Sequence, residues 1–295
     1  MKIRRLALPR SRSASLRLAA VAAAALVTLA ACGQGFDTAP PTERSSAALA
    51  HVHGLGINPA DGDLYVATHN GVFHLPAGGE PEQIAGRGQD TMGFTIVGPD
   101  HFLGSGHPDP SETGQPSHLG LIESTDAAQT WRPLSLSGEA DFHALEAAHG
   151  RVYGYDSQTR RIMVSEDKAT WDGRAQLALA DFAVSPDDPE VLLATTQQGP
   201  VRSTDGARSA APIPGAPLLV LVDWPAIDRL VGVEPDGTVQ VSADGGTTWT
   251  PRGQVSGQPA AISAHGADEV YVATDTGIYH STDDGGTFSV VQPIA

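Results

Sequence analysis

The sequence predicts an all-β fold, specifically a six-bladed β-propeller, from its composition and from an internal repeat. The chain of 295 residues contains 33 Gly and 22 Pro, and only 5% of it is aromatic. This composition favours many short strands joined by tight turns. A turn motif recurs at intervals of 38 to 41 residues, and a period of about forty residues fits one four-stranded blade. A seven-bladed ring is the alternative.

Residues 1–31 are typical of a secretory signal peptide, because basic residues precede an apolar run of Ala and Leu. The run ends at Leu29-Ala30-Ala31-Cys32, which matches the bacterial lipobox, where the signal is cut before a cysteine that carries lipid. We therefore expect lipidation at Cys32 and a place in the cell membrane, facing the extracytoplasmic side. Residues 32–48 are polar and lack periodicity, as in a flexible tether, and residues 49–295 are assigned to the propeller.

Charge and cysteine content narrow the possible partners. The formal net charge is −16 at pH 7. All charged side chains of the predicted signal peptide are basic, so the mature chain is still more acidic. A nucleic-acid partner is excluded on this ground. The only cysteine is the one predicted to carry lipid, so stability must come from packing without disulfides. The expected partners are the lipid bilayer and a ligand whose identity the sequence leaves open.

The repeated motif has the pattern Ser-x-Asp-x-Gly-x-Thr-Trp/Phe. Complete copies occupy residues 242–249 and 281–288, and degraded copies occupy residues 124–131, 165–171 and 203–209. Such a turn needs Gly where φ is positive, Ser and Asp to accept backbone N–H bonds, and an aromatic ring to pack between neighbouring strands. The motif therefore predicts structural turns.

These turns resemble the Asp box of the BNR repeat. That repeat is found in β-propellers of the sialidase and sortilin superfamily, which also includes exported lipoproteins of glycosyl-hydrolase type. The resemblance covers residues 124–295 by motif and residues 50–123 by strand pattern alone. In the first unit, residues 64–71 parallel residues 270–277 of the last unit. Blades are predicted to start near residues 50, 90, 141, 180, 216 and 257.

Histidines collect at one rim of the predicted channel. In a propeller the inner strand begins and the second strand ends on the same face, and this rule brings six of the 11 histidines together: His51, His53, His69, His107, His118 and His143. Neutral imidazole is a common transition-metal ligand. We expect Zn or Cu bound by His53, His69, His107 and His143, and Met92 on the same face favours Cu. Otherwise these histidines are ordinary polar residues of a channel mouth.

Two other functions stay open. The resemblance implies glycoside hydrolysis, for which facing carboxylates are needed, and the candidates are Asp90, Asp141, Asp181 and Glu234. A sialidase is excluded, because the arginines fall in or near turns and supply no set on the inner strands. Aromatic platforms for sugars are also scarce, because only Trp224 of the four Trp lies outside an Asp box. The other function is a binding scaffold that presents its rim to a protein partner.

Overall fold

A computed structural model describes residue 49 and residues 51–294. The predicted signal peptide, Cys32 and the tether up to residue 48 lie outside the described residues. Residues 51–294 form six antiparallel four-stranded sheets, each built from four consecutive strands, so the predicted six-bladed propeller is confirmed. Blades start within a few residues of the predicted positions, because each inner strand is an apolar run bounded by turns.

The first three blades contain the rim histidines. In each blade the first strand lies on the inside of the ring and the fourth strand on the outside. A single turn of 3₁₀ helix, Ile84–Gly86, follows the first blade. The bounds are β1 Val52–Ile57, β2 Leu64–Thr68, β3 Gly71–Leu75, β4 Glu82–Gln83; β5 Asp90–Gly98, β6 His101–His107, β7 Leu121–Ser124, β8 Arg132–Ser135; β9 Phe142–Ala148, β10 Arg151–Asp156, β11 Arg161–Ser165 and β12 Asp172–Gln176.

The last three blades repeat the same antiparallel order with shorter strands in the fourth blade. The final strand belongs to the same sheet as the three strands before it, so the last blade is completed by its own sequence. The bounds are β13 Phe182–Val184, β14 Leu192–Ala194, β15 Val201–Ser203, β16 Ala211–Pro212; β17 Leu221–Ala226, β18 Arg229–Val233, β19 Thr238–Ser242, β20 Thr250–Gln254; β21 Pro259–His265, β22 Glu269–Thr274, β23 Gly277–Ser281 and β24 Ser289–Pro293.

Apolar clusters between adjacent blades hold the ring together. One cluster lies at each of the blade interfaces formed by the described residues, and second-strand residues such as Val66, Leu193 and Val231 are fully buried in them. The seam between the last and first blades is closed in the same way, since Leu49 packs with Ala273 and Ile278. The ring therefore closes by packing of side chains, without a sheet shared by the two ends.

The Asp-box turns join the third and fourth strands of blades two to six. Ser242 Oγ donates to Asp244 Oδ1 at 2.9 Å and accepts the N–H of Gly246 at 2.7 Å. Asp244 in turn accepts the N–H and hydroxyl of Thr248. Because third strands end on the face opposite to the channel rim, these turns stabilise the fold and lie away from the histidines.

Candidate functional site

β-Bulges direct side chains into the channel. On the inner strands of the first three blades the pairing register skips one residue, and the skipped residues are His53, Met92 and His143. A bulge re-aims the side chain of its extra residue. All three residues line a channel cavity of about 450 Å³, so the bulges place two imidazole rings and a thioether at the channel.

His53, His69 and Asp90 form the first group at the rim, with one ligand atom from each lying within 4.8 Å of the others. His69 Nδ1 lies 2.9 Å from Asp90 Oδ2, and His53 Nε2 lies 3.4 Å from Asp90 Oδ1. His53 Nε2 and Asp90 Oδ1 are both buried, and neither has a hydrogen-bond partner. Two polar atoms therefore face each other across a short gap that no hydrogen bond fills.

His107, His118 and Asp141 form the second group, again with ligand atoms within 4.8 Å of one another. His107 belongs to both groups by contact, because its Nδ1 lies 3.1 Å from Asp90 Oδ2 and its Nε2 lies 3.7 Å from Asp141 Oδ2. His118 Nδ1 lies 3.8 Å from Asp141 Oδ2. The two groups are thus linked through one imidazole ring.

The two rim carboxyls are held in their ionised form. Burial acts to raise the pKa of Asp90, but the neighbouring His53 and His107 rings outweigh it and leave the pKa below its ordinary value. Burial likewise opposes ionisation of Asp141, and His143, Ser157 and His107 overcome it and lower the pKa to about 2. Both groups are therefore carboxylates at neutral pH, which suits a cation ligand and does not suit a proton donor.

Three of the four histidines predicted as ligands belong to these groups. His53 and His69 meet at Asp90, whereas His107 meets Asp141. His143 lies 3.0 Å from Asp141 Oδ2 and belongs to neither group of three among the described residues. His118, which was predicted at the rim but not as a ligand, is the third member of the second group. The loop that carries it is held near the end of β6, because Leu119 donates its N–H to Gly106 O at 2.9 Å.

Deeper in the channel, three carboxyl groups connect neighbouring blades. Each accepts a backbone N–H from the inner strand of the next blade: Glu146 from Val184 at 2.8 Å, Asp181 from Val222 at 2.9 Å, and Asp223 from Ala264 at 2.7 Å. All three acidic residues line the cavity. Their side chains keep some surface open to the channel although protein atoms surround them.

Burial is the main influence on these groups. It raises the pKa of Asp181 to about 7 against the N–H bonds of Val222 and Phe182, and the charge of Asp223 adds to it. The pKa of Asp223 is raised to about 6 by burial, which its own backbone bonds oppose. Burial and the charge of Asp223 together place the pKa of Glu146 well above its ordinary range. The channel therefore contains acids that gain protons near neutral pH.

The remaining candidates lie apart from these groups. Glu234 accepts a bond from Gln240 at 2.6 Å and does not line the channel cavity. Trp224 is 8% exposed and packs in the cluster between the fourth and fifth blades, so it offers no platform to a sugar. A third group, Asp61, Asp63 and His74, lies at turns and strands of the first blade, where the carboxylates accept bonds from Asn58, Tyr65 and His74.

Comparison with known proteins supports the fold alone. No protein-family model matches the sequence, and no curated protein matches it. Among the described residues no helix is long and apolar enough to cross a membrane.

The structural neighbours are β-propellers. A gluconolactonase from Xanthomonas campestris is 14% identical, with a TM-score of 0.61 over 76% of this chain and 83% of that chain. A catalytically inactive His-to-Ala variant of virginiamycin B lyase from Staphylococcus aureus, with quinupristin, is 14% identical, with a TM-score of 0.56 over 86% of each chain. YCF48 bound to D1 peptide is 16% identical, with a TM-score of 0.51 over 82% of each chain.

Proposed function

We propose that this protein is a lipid-anchored propeller on the extracytoplasmic side of the cell membrane that binds a transition-metal ion at its channel rim. His53, His69 and Asp90 are the ligands. One observation carries the proposal: His53 Nε2 and Asp90 Oδ1 are buried and lie 3.4 Å apart, and neither makes a hydrogen bond within the described residues. Burying polar atoms without a partner is costly, and an ion between them removes that cost.

The spacing of the ligand atoms fits a small ion. Two ligands bound at about 2.0–2.1 Å around tetrahedral Zn²⁺ lie about 3.3 Å apart. The separation of His53 Nε2 from Asp90 Oδ1, 3.4 Å, is close to this edge length. The distance between His69 Nδ1 and Asp90 Oδ2, 2.9 Å, is shorter, so His69 turns slightly on binding or uses its other nitrogen.

The donor set favours Zn²⁺ or Cu²⁺. Imidazole nitrogen suits both ions, and a carboxylate completes a site of mixed N and O ligands. Met92 lines the cavity beside His53, and a thioether there favours copper in its reduced state. The lowered pKa of Asp90 supplies the deprotonated ligand that metal binding requires.

The anchor rests on the start of the sequence. The basic and apolar segment before Cys32, followed by a polar tether, favours lipid attachment and export. Labelling the full chain with a radioactive or alkyne-tagged fatty acid in a bacterial host tests this, with Cys32→Ser as the matched variant. Label on the parent and none on Cys32→Ser is the expected result, and equal labelling of both contradicts the anchor.

Metal content tests the site. The full chain is purified in detergent without an affinity tag, dialysed against Zn²⁺ or Cu²⁺, and measured by mass spectrometry of the bound metal. His53→Ala and His69→Ala should weaken binding by at least about 100-fold, while His149→Ala, on the opposite face, should bind as the parent does. Absence of metal from the parent, or unchanged binding in both rim variants, contradicts the proposal.

Glycoside hydrolysis is the second candidate, and Asp181 is the observation that favours it. A channel carboxyl whose pKa is raised to about 7 has the property of a general acid. It ranks second because both of its oxygens accept backbone N–H bonds. Chromogenic glycosides screened against the parent and Asp181→Asn test it. Turnover that disappears in Asp181→Asn supports hydrolysis, and no turnover by the parent removes it.

A further inference from the structure

We infer that the rim binds two metal ions, the second held by His107, His118 and Asp141. The inference deepens the proposed function and rests on it for the chemical class of ligand. Ligand atoms of the second group lie within 4.8 Å of one another, as they do in the first group. The His-rich rim is therefore a dinuclear site instead of a single site shared by four histidines.

The hydrogen bond of His107 fixes where its free electron pair points. Its Nδ1 lies 3.1 Å from Asp90 Oδ2, and since a carboxylate can only accept, Nδ1 carries the proton. In the neutral ring Nε2 is then an acceptor, and it faces Asp141 Oδ2 at 3.7 Å. Two electron-rich atoms facing each other repel unless a cation lies between them.

A proton does not fill that gap. A hydrogen bond between a doubly protonated His107 and Asp141 would draw the atoms to about 2.7–2.9 Å, whereas they stand 3.7 Å apart. This distance is somewhat longer than the ligand separation of about 3.3 Å around tetrahedral Zn²⁺, so binding draws the group together by a few tenths of an ångström. An ion fits the gap better than a proton.

Unpartnered buried atoms mark the second group independently. Asp141 is only 2% exposed, and its Oδ1 has no hydrogen-bond partner; the same is true of His118 Nδ1. Ser157 and His143 contact Asp141 Oδ2 at 2.9 and 3.0 Å. They orient the carboxylate, as outer partners of metal ligands commonly do, and leave His107 and His118 to complete the ion's shell.

The two ions should affect each other through Asp90. Asp90 is a ligand of the first ion and also accepts the Nδ1 proton of His107, a ligand of the second. Once the first ion draws charge from Asp90, the carboxylate polarises His107 less, and His107 becomes a weaker donor to the second ion. This coupling is reciprocal, so each ion weakens the binding of the other, and the two ions bind in separate steps.

Equilibrium dialysis of the metal-free full chain against Zn²⁺, in detergent, tests the inference. The parent and the His149→Ala control should saturate at two ions per chain in separate steps. His118→Ala should retain one ion, at the first group, and His69→Ala should retain one ion, at the second group. His118→Gln, which keeps the size and a polar group, repeats the test should His118→Ala unfold, and thermal unfolding checks each variant.

The outcomes separate the two proposals. One ion per chain in the parent, lost in His69→Ala and kept in both His118 variants, overturns the second site and leaves the proposed function standing. Two ions in the parent and two in both His118 variants also overturn it, because the second ion then lies elsewhere. No ion in the parent overturns the proposed function and this inference together.

Discussion

Replacing Asp181 by Asn should flatten the dependence of stability on pH. Asp181 lies in the channel, and burial together with the charge of Asp223 raises its pKa from 3.8 to about 7. The folded state therefore binds this proton more tightly than the unfolded state does. Stability from this group is full below the unfolded pKa, falls as the pH rises through the interval between the two values, and is level above the folded pKa.

The size of the effect follows from the difference between the two pKa values. About three pH units at about 1.36 kcal/mol each give about 4 kcal/mol. In a domain of this size the unfolding temperature moves by about 2–4 °C per kcal/mol. The parent should therefore lose about 10 °C between about pH 4 and about pH 7 from this group. Asp223 and Glu146 act in the same direction, so the parent's total loss is at least as large.

Thermal unfolding of the full chain in detergent, with chelator present and at a series of pH values, measures the effect. Asp181→Asn supplies one carbonyl oxygen for two N–H donors, Val222 and Phe182, so below about pH 4, where Asp181 of the parent is protonated, it should lower stability by about 1–3 kcal/mol. Toward pH 7 this deficit should shrink and then reverse, because only the parent loses about 4 kcal/mol from Asp181. The variant's pH dependence should be shallower than the parent's by up to about 4 kcal/mol. Asp236→Asn is the control: the pKa of this exposed residue is lowered, so Asp236 is ionised between about pH 4 and about pH 7, and the variant should have the parent's pH dependence over that range. Equal pH dependence in the parent and Asp181→Asn would refute the reasoning.

Two further predictions concern the scaffold. Gly246→Ala should cost about 2–4 kcal/mol in denaturant unfolding, because Gly246 has φ 86° and an added Cβ would lie 2.8 Å from Leu193. The control is Gly62→Ala, which should cost only about 1 kcal/mol, because Gly62 has a positive φ but open space around it. Equal costs for the two variants would show that the contact with Leu193 does not matter. Leu49→Ala should cost about 2–5 kcal/mol since Leu49 is fully buried at the seam. The control is Leu218→Ala, at a residue that is 44% exposed, and it should change stability by less than about 0.5 kcal/mol. If Leu49→Ala were as stable as the parent, Leu49 would not stabilise the seam.

The blades could be predicted from the sequence because their signals are local. The Asp-box period set the boundaries, and each blade starts within a few residues of its predicted position. Strand ends determine which residues meet at a rim, so the collection of histidines on one face followed as well. Their division into two groups did not, because it depends on the bulge at His53 and on the loop that carries His118. A bulge depends on the register between strands, which the spacing of apolar residues does not reveal.

Of the three channel acids, Asp181 was a predicted candidate, whereas Glu146 and Asp223 were not. Glu146 and Asp223 lie within inner strands, whereas the predicted rim residues lie at strand ends. The sequence did contain a signal for them. A single acid inside a short apolar run, as in Leu221-Val222-Asp223-Trp224, is costly to bury in an apolar core, so its side chain is expected to face the channel. His118 was predicted at the rim but not as a ligand, because it lies on a long loop whose path no periodic pattern determines.

The seam between the last and first blades has a consequence for how the chain can be reordered. Leu49 and Ile294 pack into the same cluster, so the two ends of the described chain meet there, and neither end enters the sheet of the other. A circularly permuted chain, joined across the seam and opened between any two other blades, keeps every sheet whole. The packing of the ring therefore does not require any particular blade to come first in the chain, and the rim histidines would keep the same neighbours in a permuted chain.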